Sequence, residues 1–294
     1  MLQPVKLMSF TPQETKDGSY TFFSNEFKEA FHSFYGAKQE AEIKFVIPTQ
    51  LRQLAKEKSQ ITLLDICYGL GYNSAAAIEA IWQVNPHCKI ELIGLEIAAD
   101  VPQSATAHNL LSSWQSPIPQ LLATLATEFQ VERDLLQARL LLGDARITIR
   151  QLTARKWLAD AIFLDPFSPP KCPQLWTVEF IDLVARCLKP TGRIATYSCA
   201  AAVRTALTMA GLKYGSTPGM GRKSPGTVAS YDDRDLVPIS LQEREHLQTR
   251  ASIPYRDIYL SNSPEEIKLQ RSQEQGRSHL RSTSQWKKRW QKLL

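Results

Sequence analysis

No stretch of this sequence approaches the roughly 18 consecutive apolar residues that a membrane-spanning helix needs. The opening MLQPVKLMSFTPQETKDGSY also lacks the basic-then-apolar layout of a secretory signal. The cytoplasm is therefore the expected location, and a membrane is not an expected partner. Cysteine is scarce: Cys67, Cys88, Cys172, Cys187 and Cys199 are an odd set without a C-x-x-C pair. That argues against a disulfide framework and a zinc knuckle, and reads instead as free thiols, mostly buried. His32, His87, His108, His246 and His279 fall at no metal-ligand spacing, so no metal is expected. With 43% hydrophobic and 22% charged residues, disorder throughout, collagen and mucin-like stalks are excluded.

The net charge of +6 is unevenly placed. From Lys268 to Leu294 there are eight Lys or Arg (Lys268, Arg271, Arg277, Arg281, Lys287, Lys288, Arg289, Lys292) against the single acid Glu274. The segment carries +7, and the rest of the chain about −1. A basic arm on a near-neutral body suggests a polyanion partner, RNA or DNA ahead of a membrane surface. A solvated helix kept for solubility is the alternative. Trp286, Trp290 and Leu293 lie at i, i+4, i+7, beside these cations, and mark one apolar stripe.

Between the ends the text alternates. Strand-length apolar runs are ITLLDI (61–66), KIELIGLE (89–96), ARLLLGD (138–144), DAIFLD (160–165) and GRIATYS (192–198). Helix-like segments lie between them: NSAAAIEAIWQV, one stretch from Val101 to Phe129, ARITIRQL, LWTVEFIDLVARCL ending at Lys189-Pro190, and then AAVRTALTMAGL. This alternation predicts βαβ units and an α/β fold with a mostly parallel sheet. LKYGS and GTVASY predict a closing antiparallel hairpin. The expected organisation is an amino-terminal arm over 1–55, an α/β domain over 56–237, and a polar extension with a basic tail over 238–294.

Candidate chemistry starts at the end of the first strand, Asp65-Ile-Cys-Tyr-Gly-Leu-Gly-Tyr-Asn. Gly69 and Gly71 let the backbone turn sharply and approach a ligand, and the helix that follows offers the positive end of its dipole. A dinucleotide fingerprint would want a third glycine where Ser74 follows Asn73, so this is not that motif. Glu96 ends the second strand about 27 positions after Gly69, where an acid can accept from both ribose hydroxyls. The third strand ends in Gly143-Asp144-Ala145, placing an acid to accept from an adenine amino group. The fourth ends in Asp165-Pro166-Phe167-Ser168-Pro169-Pro170. A lone acid at a strand end is usually a surface carboxylate. Four of them, Asp65, Glu96, Asp144 and Asp165, outline an adenosine pocket at one sheet edge.

These residues resemble class I S-adenosylmethionine-dependent methyltransferases. More narrowly, DICYGLGYNSAAAI, GDAR, FLDPFSPPKCPQLWT, LKPTGRIATYSCAAAVRTALTMAGL and GMGRKSPGT resemble the methyltransferase domain of the MnmC-type tRNA modification enzymes, as does the arm DGSYTFFSNEFKEAFHSFYGAKQEAEIKFV. The likeness covers roughly Asp17 to Ala229. It implies a Rossmann-like fold and methylation of the 5-aminomethyl group of 2-thiouridine at the tRNA wobble position. Fused members carry a second, FAD-dependent oxidase domain. Only about 65 residues follow the hairpin here and no second glycine-rich dinucleotide loop is present, so the expectation is the stand-alone form without FAD. The segment DPFSP departs from the DGFAP of the fused enzymes, which loosens side-chain carry-over in that loop but not at Asp165.

In this reading Asp65, Gly69, Gly71, Asn73, Glu96, Asp144 and Ala145 bind S-adenosylmethionine. Asp165 orients the substrate amine and takes or relays its proton. Phe167 and Trp176 are candidates to stack on an extruded wobble base, and Tyr197 to wall the pocket, core packing being the alternative for all three. Ser168, Lys171, Arg222 and Lys223 are expected near the substrate, the cations as phosphate contacts. The expected partner is the tRNA anticodon region, with no obligate protein partner. Two competing classes stay open: another class I transferase acting on a small amine, and a catalytically inactive RNA-binding relative. Fold alone does not separate them.

Overall fold

In the computed structural model, which describes residues 10–219 and 224–291, each strand-length apolar run becomes a strand and most of the segments between them become helices. The chain forms two compact units, residues 1–148 and 149–294. The division falls within one helix, Ala145–Ala154.

The first unit opens with two short ribbons. β1 (Gln13–Glu14) pairs with β2 (Tyr20–Thr21), and β3 (Phe23–Ser24) with β4 (Glu29–Ala30), both antiparallel. Helix α1 (Ala37–Ala41), a π-helical turn over Glu42–Val46 and α2 (Leu51–Glu57) follow. Then come β5 (Gln60–Ile66), α3 (Tyr72–Val84) and β6 (Lys89–Glu96). In β5 the side chains Ile61, Leu63, Leu64 and Ile66 are all fully buried. A strand covered on both faces needs such a continuous apolar run, and each of these side chains contributes about 1.5–3 kcal/mol.

The expected single helix from Val101 to Phe129 is two: α4 (Asp100–Ala107) and α5 (Ile118–Glu128). Asn109, at φ 53, ends the first path, and Pro117 and Pro119 shape the start of the second. The chain then adds β7 (Gln130–Glu132) and β8 (Leu136–Leu142). β5, β6 and β8 run parallel in that order, with β7 antiparallel on β8. Asp65 pairs in register with Gly94, and Glu96 with Leu142. The three parallel strands therefore end together, and their acids share one edge.

The second unit begins within α6 (Ala145–Ala154) and continues with β9 (Ala159–Leu164), α7 (Val178–Arg186) and β10 (Leu188–Thr196). The expected helix ending at Lys189-Pro190 stops instead at Arg186, and β10 starts at Leu188. A register irregularity between Leu188 and Arg193 accommodates Pro190, which cannot donate to the ladder. After α8 (Ala201–Met209), β11 (Lys213–Thr217) and β12 (Gly226–Ser230) form the expected hairpin. β9 and β10 are parallel, and β12 is antiparallel to β10. The mostly parallel α/β reading of the sequence holds.

Beyond residue 238 the chain forms α9 (Leu241–His246), α10 (Pro264–Arg277) and α11 (Thr283–Gln291). Ser240 and Ser263 open α9 and α10 with reciprocal capping boxes to Glu243 and Glu266. The extension is stitched into its unit. Glu179 of α7 accepts from Arg256 Nε at 2.7 Å and from the Asp257 N–H at 2.8 Å. Arg271 lies over the Tyr255 ring at 4.3 Å and donates to Ile253 O and Ala251 O. No described helix is long and apolar enough to cross a membrane.

Candidate active site

The loop leaving β5 is built by backbone conformations that few residues adopt. Cys67, Gly69 and Gly71 take φ values of 65, 57 and 82. The Cys67 and Tyr68 N–H groups both donate to Leu95 O at 3.0 Å, clamping the loop against the end of β6. For the two glycines the left-handed conformation carries little steric cost. For Cys67 it stores strain of about 1–3 kcal/mol, of the kind that collects at ligand clamps. A Cβ on Gly71 would sit 2.7 Å from Tyr68 Oη, so a side chain there collides with the loop itself.

Two acids meet at this loop, and a third follows the next strand of the same edge. Asp65 is wholly buried; its Oδ2 accepts from Ser74 Oγ at 2.6 Å, while Oδ1 has no partner. Burial pushes its carboxyl up to about 7, against the lowering effect of the Ser74 bond and with a further push from Glu96. Glu96 is also buried and pushed above its ordinary value by burial. Three N–H groups oppose that push: Gly69 on Oε2 at 2.8 Å, and Ile97 and Ala98 on Oε1 at 2.8 and 3.0 Å. Glu96 thus fixes the glycine loop as well as facing the strand edge. Asp144 follows Gly143, whose φ is 124. It is half-buried and held below the ordinary carboxylate range, because Arg146 more than offsets burial; Arg146 Nη2 donates to Oδ2 at 2.7 Å. Asn73 is buried in the first turn of α3, and Ala145 opens α6.

A buried carboxylate oxygen without a partner costs free energy unless a ligand satisfies it. Glu96 stands close enough to Asp65 to raise its carboxyl further, and Asp144 follows the end of the neighbouring strand at the same edge. Together they suit a ligand that carries positive charge and several hydroxyl or amino donors, which S-adenosylmethionine does. The residues fit the group.

A separate cleft of about 590 Å³ in the first unit is polar as well, but its charges are mutually engaged. Arg52 forks onto Glu42, and Lys38 donates to Ser113 O at 3.0 Å beside Glu79 at 3.6 Å.

The second unit carries the proline-rich loop after β9. Asp165 follows the strand and is half-buried. The loop is braced by bonds to its own carbonyls. Trp176 Nε1 donates to Phe167 O at 2.8 Å, Tyr197 Oη donates to Pro166 O at 2.8 Å, and Trp176 meets Tyr197 edge-on at 6.2 Å. The N–H groups of Lys171 and Cys172 both close on Ser168 O. Trp176 is fully enclosed and offers no face for a base; of the alternatives weighed for it, this conformation favours core packing, and it holds the loop from behind. Phe167, Ser168 and Tyr197 stay partly exposed, and Lys171 is exposed. Arg222 and Lys223 lie outside the described residues.

At the basic tail the aromatic stripe docks. Trp286 Nε1 donates to Gln242 O, its ring stacks on His246 at 4.2 Å, and Trp290 Nε1 donates to Glu245 Oε2 at 2.9 Å. Arg289 pairs with Glu245 at 3.0 Å, leaving Lys287 and Lys288 exposed. Leu293 and Lys292 lie outside the described residues. Among the described residues no cluster of three His, Cys, Asp or Glu is placed to hold a metal.

Some participants carry no motif. Tyr68 is buried between Gly71 and Gly94, and Phe31 of the arm reaches within 3.6 Å of where a Gly69 Cβ would be. Cys67 is a strained loop residue rather than the core thiol its composition suggests.

A family model described as S-adenosyl-L-methionine-dependent methyltransferase matches residues 103–232. The crystal structure of MnmC2 from Aquifex aeolicus is similar with a TM-score of 0.78 and 33% identity, over 90% of this chain and 85% of that one. An uncharacterized protein of Methanocaldococcus jannaschii is 28% identical over 86% of this chain and 69% of its own length. The tRNA 5-methylaminomethyl-2-thiouridine biosynthesis bifunctional protein MnmC of Ralstonia nicotianae is 31% identical over 78% of this chain. The matched region is 35% of that bifunctional protein, so the chain corresponds to about a third of it.

Proposed function

Because this chain belongs to the family of S-adenosylmethionine-dependent methyltransferases that includes MnmC2, we propose that it methylates the amino nitrogen of a 5-aminomethyl group on (2-thio)uridine at the tRNA wobble position. The observation that carries this reading is the likeness to MnmC2 over nine-tenths of the chain, together with the likeness to the MnmC protein whose name states the 5-methylaminomethyl product.

Asp65, Glu96, Asp144 and the loop at Gly69 and Gly71 hold the donor, with Asn73 and Ala145 at the adjacent helix starts. When bound, S-adenosylmethionine supplies an electrophilic methyl group on a sulfonium. An aminomethyl group is largely protonated at neutral pH, so its nitrogen must lose a proton to present a lone pair. Asp165 accepts that proton and orients the amine. Phe167 and Tyr197 flank the base, and Ser168 and Lys171 contact the nucleotide. The loop's backbone bracing by Trp176 and Tyr197 keeps Asp165 in place, since a group misplaced by about 1 Å can lose about a hundredfold in rate. Exposed Lys287 and Lys288 on the anchored α11 contact tRNA phosphates, the role the sequence also assigns to Arg222 and Lys223.

The test is incubation with S-adenosylmethionine and tRNA carrying the aminomethyl nucleoside, followed by nucleoside mass analysis. The expected product gains one methyl group on the side-chain nitrogen. Methylation of a small amine without tRNA, or donor binding with no turnover on any tRNA, would overturn the reading.

A further inference from the structure

A groove of about 280 Å³ opens between α9 and α11 in the second unit. The segment that brings Arg281 to it is clamped. Thr249 bridges to Arg281, the Arg250 N–H donates to Arg281 O at 2.9 Å, and Arg250 Nε donates to Leu280 O at 3.3 Å. Helix α11 is itself fastened to α9 by the bonds of Trp286 and Trp290. The walls are therefore set before a ligand arrives, which lowers the ordering cost of binding.

Some of the lining groups are already engaged. Glu245 accepts from Arg289 on Oε1 at 3.0 Å and from Trp290 Nε1 on Oε2 at 2.9 Å, so its charge is matched by Arg289. Trp286 gives its Nε1–H to Gln242 O and one ring face to His246, and what it offers the groove is apolar ring surface. Others are not engaged. Among the described residues nothing accepts from the Arg281 guanidinium, and the side-chain amides of Gln248 and Gln285 have no partner. The lining thus carries a net positive charge, placed at Arg281.

A guanidinium is a planar fork of donors that matches a phosphate. Amide side chains both donate and accept, as base and sugar edges require, and a ring surface takes the apolar face of a base. The groove lies at the small end of ligand pockets, roughly 300–1,000 Å³, a size for one nucleotide. An acidic peptide would satisfy the fork but give the ring no planar partner. We infer that the groove is a nucleotide subsite for RNA. Arg281 forks onto one backbone phosphate, the Gln248 and Gln285 amides bond the attached nucleoside, and Trp286 supplies the apolar wall. Exposed Lys287 and Lys288 take adjoining phosphates along α11. The subsite rests on the tRNA reading proposed above for its ligand, and none of its residues belongs to the donor pocket or to the loop at Asp165.

The experiment measures tRNA affinity across a salt series on the full chain, by fluorescence anisotropy. Arg281→Ala should weaken binding about tenfold, the low end for a lost hydrogen bond to a charged group. It should also flatten the dependence of log affinity on log salt by about 0.7–0.9. Arg281→Lys should restore that slope, because the charge is kept, but not the full affinity, because the fork is lost. Gln248→Glu sets a carboxylate in the groove with Arg281 and should weaken binding as much as Arg281→Ala. Gln273→Glu, the same charge change at an exposed position of α10, should change it little. Melting temperatures should match wild type, since neither Arg281 nor Gln248 has a described side-chain partner to lose. Equal effects of Gln248→Glu and Gln273→Glu would reduce the groove to general surface charge and overturn the subsite, as would unchanged affinity in Arg281→Ala. An oligoglutamate peptide whose binding is lost in Arg281→Ala while tRNA binding is not would overturn it in favour of an acidic protein segment. Failure of wild type to bind any tRNA would overturn the tRNA reading together with the subsite, whereas tRNA bound normally but not methylated would overturn the substrate reading alone.

Discussion

The two units solve opposite problems at their strand ends. In the first, Asp65 and Glu96 are buried acids whose neighbours are backbone N–H groups and one hydroxyl. No described cation pairs with either through a salt bridge, and the cluster is left electrostatically unfinished. In the second, the loop after β9 satisfies its own carbonyls with Trp176 and Tyr197 and keeps Asp165 only half-buried. A strained, under-satisfied cluster is a binding site waiting for charge and donors. A braced loop with accessible side chains is a place to do chemistry on something that arrives and leaves. The difference separates the residues expected to change affinity from those expected to change turnover.

The sharpest break of that comparison is Asp165→Asn. The amide keeps the volume and loses the proton acceptor, so kcat should fall about 10²–10⁴-fold, while S-adenosylmethionine affinity stays within a small factor. Single-turnover assays paired with calorimetry measure both. If affinity falls and turnover does not, the division of labour between the units is wrong.

Next in size is the first unit's response. Glu96→Ala removes the acceptor of three loop N–H groups, so donor affinity should drop about ten- to a hundredfold. Gly71→Val should weaken donor binding too, but with a lower melting temperature, because the branched side chain meets Tyr68 Oη and a positive φ. Thermal melts without ligand distinguish the two. A Gly71→Val protein as stable as wild type would contradict the clash.

Asp65 supplies a smaller, pH-dependent effect. Its folded pKa lies near 7 rather than at the ordinary carboxylate value of 3.8, so folding favours the protonated form. Its contribution to stability is therefore full below the unfolded pKa and lost as pH rises through about 7. Between about pH 5 and pH 8 the melting temperature of wild type, relative to Asp65→Asn, should decline. A positively charged ligand beside the carboxyl reverses the preference, so donor binding near pH 6 should release a proton from wild type and none from Asp65→Asn. Calorimetry in buffers of different ionisation enthalpy reads that release. Equal proton release from both would move the linked group elsewhere.

These acids were legible because they end strands, and strands were legible from apolar runs bounded by glycine or proline. Glu96 and Asp144 needed nothing more than that position. The rest of the site was not legible for a physical reason: Phe31 and Tyr68 meet the glycines through contacts made by folding of the arm and loop, which leave no periodic trace. The His32 ring shows the same limit, since its packing on Tyr72, 40 positions on, is not encoded in any spacing. Trp176 illustrates an ambiguity that the sequence leaves open. An aromatic on a proline-rich loop suits stacking on a base equally well as bracing, and only its enclosure and its bond to Phe167 O separate the two. The helix break at Asn109 was likewise hidden, since a positive φ there comes from tertiary context.

The smallest expected effect concerns the tail, where both readings of the basic segment contain a part of the structure. Trp286 and Trp290 dock α11 on α9, while Lys287 and Lys288 remain exposed on the same helix. Arg289 is tied to Glu245, and Arg271 to the carbonyls of Ala251 and Ile253, so neither is a free phosphate ligand. Changing Lys287 and Lys288 to Ala together should leave the melting temperature unchanged. It should flatten the dependence of log affinity for tRNA on log salt by about 0.7–0.9 for each phosphate contact removed. At saturating tRNA kcat should hold and KM rise, because a distant phosphate anchor contributes uniform binding. Trp286→Ala should do the opposite, lowering the melting temperature by removing the stack on His246 and the bond to Gln242, with the salt slope reduced only as far as α11 comes loose. An unchanged salt slope in the double lysine variant would assign the exposed face of α11 to solvent alone, leaving the stripe as the tail's whole contribution.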